Sequence, residues 1–114
     1  MNNSEFITII EDVVSTSAIE DTIDNLGSPP GRKPDENLVK KSVWFNSLSN
    51  SDKNMVKSII SDAVNESVFG FLCVLDGVRS ISKSGDSNNL KLTHGNTLLN
   101  ETENELLHDL YKNV

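Results

Sequence analysis

Apolar residues recur at steps of three and four at Phe6, Ile9, Ile10 and Val13, and again at Ile19, Ile23 and Leu26. This is the spacing of a helix with one buried face. Ser15-Thr16-Ser17 interrupts the series and the apolar direction drifts across it, which predicts a kink or two short helices over residues 4–26. The helix is expected to stop at Gly27, because Gly27-Ser28-Pro29-Pro30-Gly31-Arg32-Lys33-Pro34 concentrates residues that exclude both helix and ladder pairing. Helical spacing resumes over 35–48 through Leu38, Phe45 and Leu48, with Lys41 contributing its stem and Trp44 and Leu48 four apart on one face. Ser49 and Asp52 then form a capping-box pair, Asp standing in for Glu, ahead of the longest segment.

That segment, 52–80, carries Met55, Val56, Ile59, Ile60, Ala63 and Val64 on one face, and from Val68 to Leu75 it is apolar on all sides. A helix surrounded by others has this pattern, so the core is expected here. Gly70 in its interior costs about 1 kcal/mol relative to Ala, which predicts that a neighbouring element passes close by. Trp44, beside Phe45, is expected in the core, with an interface anchor as the other reading. Beyond Ile81, residues 82–89 are polar and turn-rich, and Leu90-Lys91-Leu92-Thr93-His94 alternates with the period of a half-buried strand. Gly95-Asn96 is a two-residue turn signal that lets Thr97-Leu98-Leu99-Asn100 return antiparallel. Thr102 and Glu105 match a capping box before a short closing helix with Leu106, Leu107, Leu110 and Tyr111 on one face. The fold expected is mainly α (α+β), a single domain over 1–114 with four or five helices around a central apolar helix and one β-hairpin near 90–99. A mixed sheet of three or more strands is the alternative.

Charge changes the picture more than composition does. The 114 residues hold 17 acids and 10 bases, a net charge of −7, and they are unevenly spread. Residues 1–31 hold six acids and no base, residues 32–97 nine bases and seven acids, and residues 98–114 four acids and one base. A nucleic-acid binder works through clustered Lys and Arg, so direct nucleic-acid binding is not expected. If the first and last helices lie side by side, their outer faces fuse into one negative surface.

Candidate chemistry is sparse. His94, His108 and Cys73 are the soft metal ligands, and none stands at metal-ligand spacing from another, so no metal is expected. Cys73 lies in the most apolar stretch and reads as a buried hydrophobe in a reducing compartment. The glycines are scattered and none precedes a Lys-Ser or Lys-Thr pair, which excludes a phosphate-binding loop, and no cofactor is expected. The pairs Glu11-Asp12 and Glu20-Asp21 have nothing apolar beside them to raise a pKa for acid–base work. Asp76 stands apart: it follows the core run and precedes Arg79 by three, which predicts an i,i+3 ion pair or contact with a partner or ligand. The start, Met1-Asn2-Asn3-Ser4-Glu5-Phe6, lacks the basic region of a secretory signal, and no apolar run approaches the ~18 residues of a membrane span. A cytoplasmic protein without a membrane partner is expected.

Trp44-Phe45-Asn46-x-Leu48, Asp52 opening a helix that ends Val68-Phe69-Gly70-Phe71-Leu72-Cys73-Val74-Leu75-Asp76-Gly77-Val78, and Leu98-Leu99-Asn100 with Leu107-His108-Asp109-Leu110 together resemble small bacterial cytosolic proteins. Some of these are immunity proteins of contact-dependent growth-inhibition systems. The resemblance covers residues 40–112 and leaves out the acidic first helix. It implies a small acidic antitoxin that binds and blocks the toxic domain of a large secreted protein, commonly a nuclease. It carries over the role and no individual contact.

The function expected is therefore non-catalytic: an immunity protein that neutralises a cognate toxin domain, a basic nuclease, by stoichiometric protein–protein binding. The carboxylates expected to make contact are Glu11, Asp12, Glu20, Asp21 and Asp24, with Glu101, Glu103, Glu105 and Asp109 as a second cluster. An adaptor or regulatory subunit that docks through apolar surface is the alternative. A third reading is a small hydrolase using Asp76 with His94 or His108, which requires those side chains within hydrogen-bond reach.

Overall fold

A computed structural model describes residues 1–81 and 90–113, so the polar, turn-rich reading of 82–89 lies outside the described residues. The chain is mainly helical with one two-stranded hairpin, in the order α1 (Asn3–Ile10), a π-helical stretch (Glu11–Thr16), α2 (Ser17–Gly27), α3 (Glu36–Asn46), α4 (Asn50–Leu75), β1 (Thr93–His94), β2 (Thr97–Leu98) and α5 (Leu107–Lys112). Its packing divides into two compact units, one formed by residues 1–15 with 65–114 and the other by residues 16–64.

Local chemistry accounts for most helix starts. Asn2 accepts from the Glu5 N–H at 2.8 Å, Asp35 from Leu38 at 3.1 Å and Ser49 from Asp52 at 3.1 Å, each satisfying a donor that the first turn leaves open. The expected break at Ser15-Thr16-Ser17 is a run of wider π turns ending at Thr16. Its reason is visible at Ser15, which is fully buried and bonded through Oγ to the Tyr111 hydroxyl at 2.5 Å. A small polar side chain at this point lets the helix meet a buried phenol.

In the first unit, α1 packs against α5, and the core is built from Ile7, Leu72, Leu107 and Tyr111, with Phe6, Val68, Phe69, Leu75, Leu92 and Leu110 packed on it. The α4 helix ends sooner than 80. Gly77 takes φ +78°, the Val78 N–H reaches Cys73 O at 3.0 Å and the Gly77 N–H reaches Val74 O at 3.1 Å, the double bond of a Schellman cap. Nor is 68–75 surrounded on all sides: Gly70, Leu72 and Cys73 are buried, but Phe71 is 63% exposed. The close neighbour expected at Gly70 is the Arg79 side chain, whose Nη1 lies 2.6 Å from where a Cβ would stand. By length and mean hydropathy α4 is also long and apolar enough to cross a membrane, a profile shared with the core helices of soluble proteins. Counting apolar runs misses it, because isolated polar residues break a run without lowering the average much.

The hairpin is antiparallel with Thr93 opposite Leu98 and His94 opposite Thr97, turning at Gly95 with φ +59°. It is shorter than the alternation predicts. Leu92 turns inward, but Leu90 is exposed, because the ladder gives way to a side chain: Asn100 accepts from the Leu92 N–H at 2.8 Å and donates to Leu90 O at 2.8 Å and Leu75 O at 2.7 Å. One buried amide thus holds the hairpin to the end of α4. In the second unit α2 packs on α3. Ser42 and Phe45 form the buried face of α3, and Trp44, rotated away from them, is 55% exposed instead of lying in the core. Asn46 closes this unit with a bond to Gly27 O at 3.1 Å, and Lys53 sits 5.8 Å from the Phe45 ring centre.

Candidate functional site

Asp76 is the best-defined polar centre. The Schellman turn at Gly77 takes the chain off the helix, so Asp76 and Arg79 are not one helical turn apart and the i,i+3 ion pair does not form. The Asp76 carboxylate instead accepts from the Leu107 N–H at 3.1 Å, the His108 N–H at 2.8 Å and His108 Nδ1 at 2.6 Å. A carboxylate donates nothing, so Nδ1 carries the proton. The expected Thr102–Glu105 capping box does not start α5. That helix begins later, at Leu107, and its cap comes from Asp76.

This geometry brings one of the two histidines considered for hydrolysis to Asp76. His108 lies there, whereas His94 is exposed on β1 opposite Thr97. The remaining nitrogen, Nε2, lies 3.4 Å from Asp109 Oδ1, and the ring meets Phe69 edge-on at 5.6 Å. Both nitrogens thus face carboxylates, and the dyad presents its free edge to an acid, not to a hydroxyl or thiol. The arrangement works as a helix cap reinforced by a side chain. Cys73 is buried, and burial pushes its thiol pKa up against the opposing pull of Arg79. That is the reverse of nucleophile activation. Among the described residues no group of three or more His, Cys, Asp or Glu is placed to hold a metal ion.

The acidic residues fall in both units. Glu11 and Asp12, in the π turns, belong to the same unit as Glu101, Glu103, Glu105 and Asp109, while Glu20, Asp21 and Asp24 lie on α2 in the other. Helices α1 and α5 do lie side by side, and Asn3 donates to Glu105 O at 2.8 Å. All nine carboxylates are solvent-exposed except Glu11 and Glu101, which are half-buried.

Concave features lie in both units. In the second, a groove of about 410 Å³ is walled by Leu26, Leu38, Val56 and Ile60 with exposed Trp44 at its side. In the first, a cleft of about 410 Å³ is lined by Glu11, Asn65, Glu66, Phe69, Tyr111 and Lys112. Sequence reasoning found Glu11 but not the rest of this cleft, nor the Ser15–Tyr111–Asn65 chain beside it. Tyr111 donates to Asn65 Oδ1 at 3.0 Å, so Ser15 supplies the proton of the other bond. The sequence signal was the polar break at Ser15, which reads equally as a simple interruption. Comparison with known protein families, curated proteins and solved structures gives no match.

Proposed function

We propose that this chain is a non-catalytic immunity protein that binds a basic toxin domain, a nuclease, and blocks it by stoichiometric association. The observation that carries the reading is where the polar groups are spent. Asp76, His108, Ser15 and Tyr111 are committed to internal bonds, whereas Glu20, Asp21, Asp24, Glu103 and Glu105 face solvent. Exposed carboxylates of one sign steer a basic partner and select it, and an anion-rich surface competes for a cleft built to hold phosphate. The resemblance over residues 40–112 supports the same role.

The test is co-purification of the tagged chain with the product of the adjacent reading frame, then titration of the complex at low and high salt. A 1:1 complex that weakens with salt, with a partner that is toxic when expressed alone, is the expected result. Replacing Glu20, Asp21 and Asp24, or Glu103, Glu105 and Asp109, by their amides is expected to slow association and flatten its salt dependence. Unchanged kinetics in both sets would remove the acidic surface from the mechanism. A second reading, an adaptor that docks through apolar surface, is favoured by Trp44 standing 55% exposed beside the groove of the second unit. Binding indifferent to salt but weakened by about 2 kcal/mol or more in Trp44→Ala, the scale of an aromatic hot spot, would select it.

A further inference from the structure

We infer that the groove of the second unit is a self-complementary surface that seats a second copy of this chain, each copy inserting its Trp44 into the other's groove about a two-fold axis. The second unit is short of core. Leu26 and Phe45 are the buried hydrophobics of residues 16–64, while Trp44, which lines the groove, is 55% exposed. A tryptophan left this far in water gains its burial only against another surface, and such anchors mark interfaces. The dimer needs no toxin and stands apart from the immunity reading; it gives the groove of the adaptor reading an occupant from the same chain.

Knob and hole lie on one face. Trp44 stands on the α3 bank one helical turn from Lys41, and the apolar hollow beside it has a volume of about 410 Å³, its walls drawn from α2, α3 and α4. An apolar cavity of about 150 Å³ holds a benzene, so this one has room for an indole. A surface that pairs with its own copy must be its own complement, residue i meeting j and j meeting i, and the charges at the groove satisfy that condition. The α3 bank carries Lys41. The α2 bank, which contributes Thr22 and Asn25, carries Asp21 at its edge, next to Thr22 and one turn from Asn25. Neither Lys41 nor Asp21 is paired with another charge among the described residues. A foreign partner of one sign would be repelled by one of the two banks, whereas a second copy turned by the two-fold sets each α2 bank against the other's α3 bank, and each Lys41 against an Asp21. Eight side chains line the groove, fewer than the roughly 20–30 a side of a stable interface, so the dimer is a weak one that exchanges with monomer.

The experiment is sedimentation equilibrium of the full chain from micromolar to millimolar concentration, read alongside the fluorescence of Trp44, the chain's one tryptophan. A monomer–dimer equilibrium is expected, with Trp44 emission moving to shorter wavelength and its quenching by acrylamide falling over the same concentration range. Trp44→Ala is expected to weaken the dimer by about thirtyfold or more, the scale of an aromatic hot spot. Lys41→Glu or Asp21→Lys alone is expected to weaken it by about two- to tenfold, the scale of exposed ion pairs, and the two together to restore it. All three side chains are exposed, so the variants should keep the native circular dichroism spectrum. A chain monomeric throughout, an assembly that grows past the dimer, a dimer whose Trp44 emission stays unchanged, or a double variant no better than the singles would overturn the assignment. None of these outcomes bears on toxin binding, which is measured with the partner present.

Discussion

Replacing Asp76 by Ala tests the centre on which the first unit closes. The carboxylate is fully buried and accepts three bonds, two from backbone N–H groups and one from His108 Nδ1. Alanine removes all three acceptors at once, and the Leu107 N–H has no route to water because Leu107 itself is fully buried. An orphaned buried donor costs about 1–3 kcal/mol, and three donors lose their acceptor here. These overlap, so the expected loss is about 3–5 kcal/mol, against the 5–15 kcal/mol that holds a typical domain together. Asp76→Asn keeps one acceptor but turns an NH2 toward a donor, and is expected to cost about half as much. Urea denaturation followed by circular dichroism reads the change as a midpoint shift of about 2 M, with Glu103→Gln as the control for loss of one exposed carboxylate in the same unit. A loss below about 1 kcal/mol for Asp76→Ala, or one no larger than that of the control, would refute the cap.

Two further perturbations probe groups near the same helix end. Asn100→Asp keeps the acceptor used by Leu92 but loses the bonds given to Leu75 O and Leu90 O and sets a carboxylate against both carbonyls. It is expected to cost about 2–4 kcal/mol in the same urea assay and to abolish the Thr93–Leu98 cross-strand contact in NMR. Cys73, whose folded thiol is held above its ordinary 9.0 by burial, favours its neutral form when folded. Its contribution to stability is therefore full below the unfolded pKa and is lost as pH rises above it. Stability should decline above about pH 9 in the native chain and decline less in Cys73→Ala, measured by thermal melts across that range.

Helix positions were legible wherever periodicity and a local cap agree, as at Ser49, which caps the longest helix in both readings; the caps at Asn2 and Asp35 appear only in the structure. What pattern could not decide was which of two adjacent aromatic residues turns inward. Phe45 shares a face with Ser42 and is buried, so Trp44, about 100° round the helix, is left outside. The same reasoning accounts for Phe71, since an all-apolar stretch tells nothing about how many of its sides find neighbours. The polar centres were the least legible. Asp76 with His108, Asn100 with Leu75, and Ser15 with Tyr111 are separated by 32, 25 and 96 positions, and short-range pattern contains no term that links them. Asp76 was singled out by its place after the core run, but paired with Arg79, because a helix continuing past Gly77 would have put them together.

Helix α5 has six residues and no side-chain cap of its own, far short of the ~12–15 at which an isolated helix becomes marginal in water. Its first two N–H groups are held by a residue at the far end of α4. The order of residues 107–112 is therefore borrowed from that end, and the two segments should open together as one cooperative unit. In hydrogen exchange the Leu107 and His108 amides would then share a single opening free energy with the last turn of α4, and a short helix at the edge of the chain would be as slow to exchange as the core it touches.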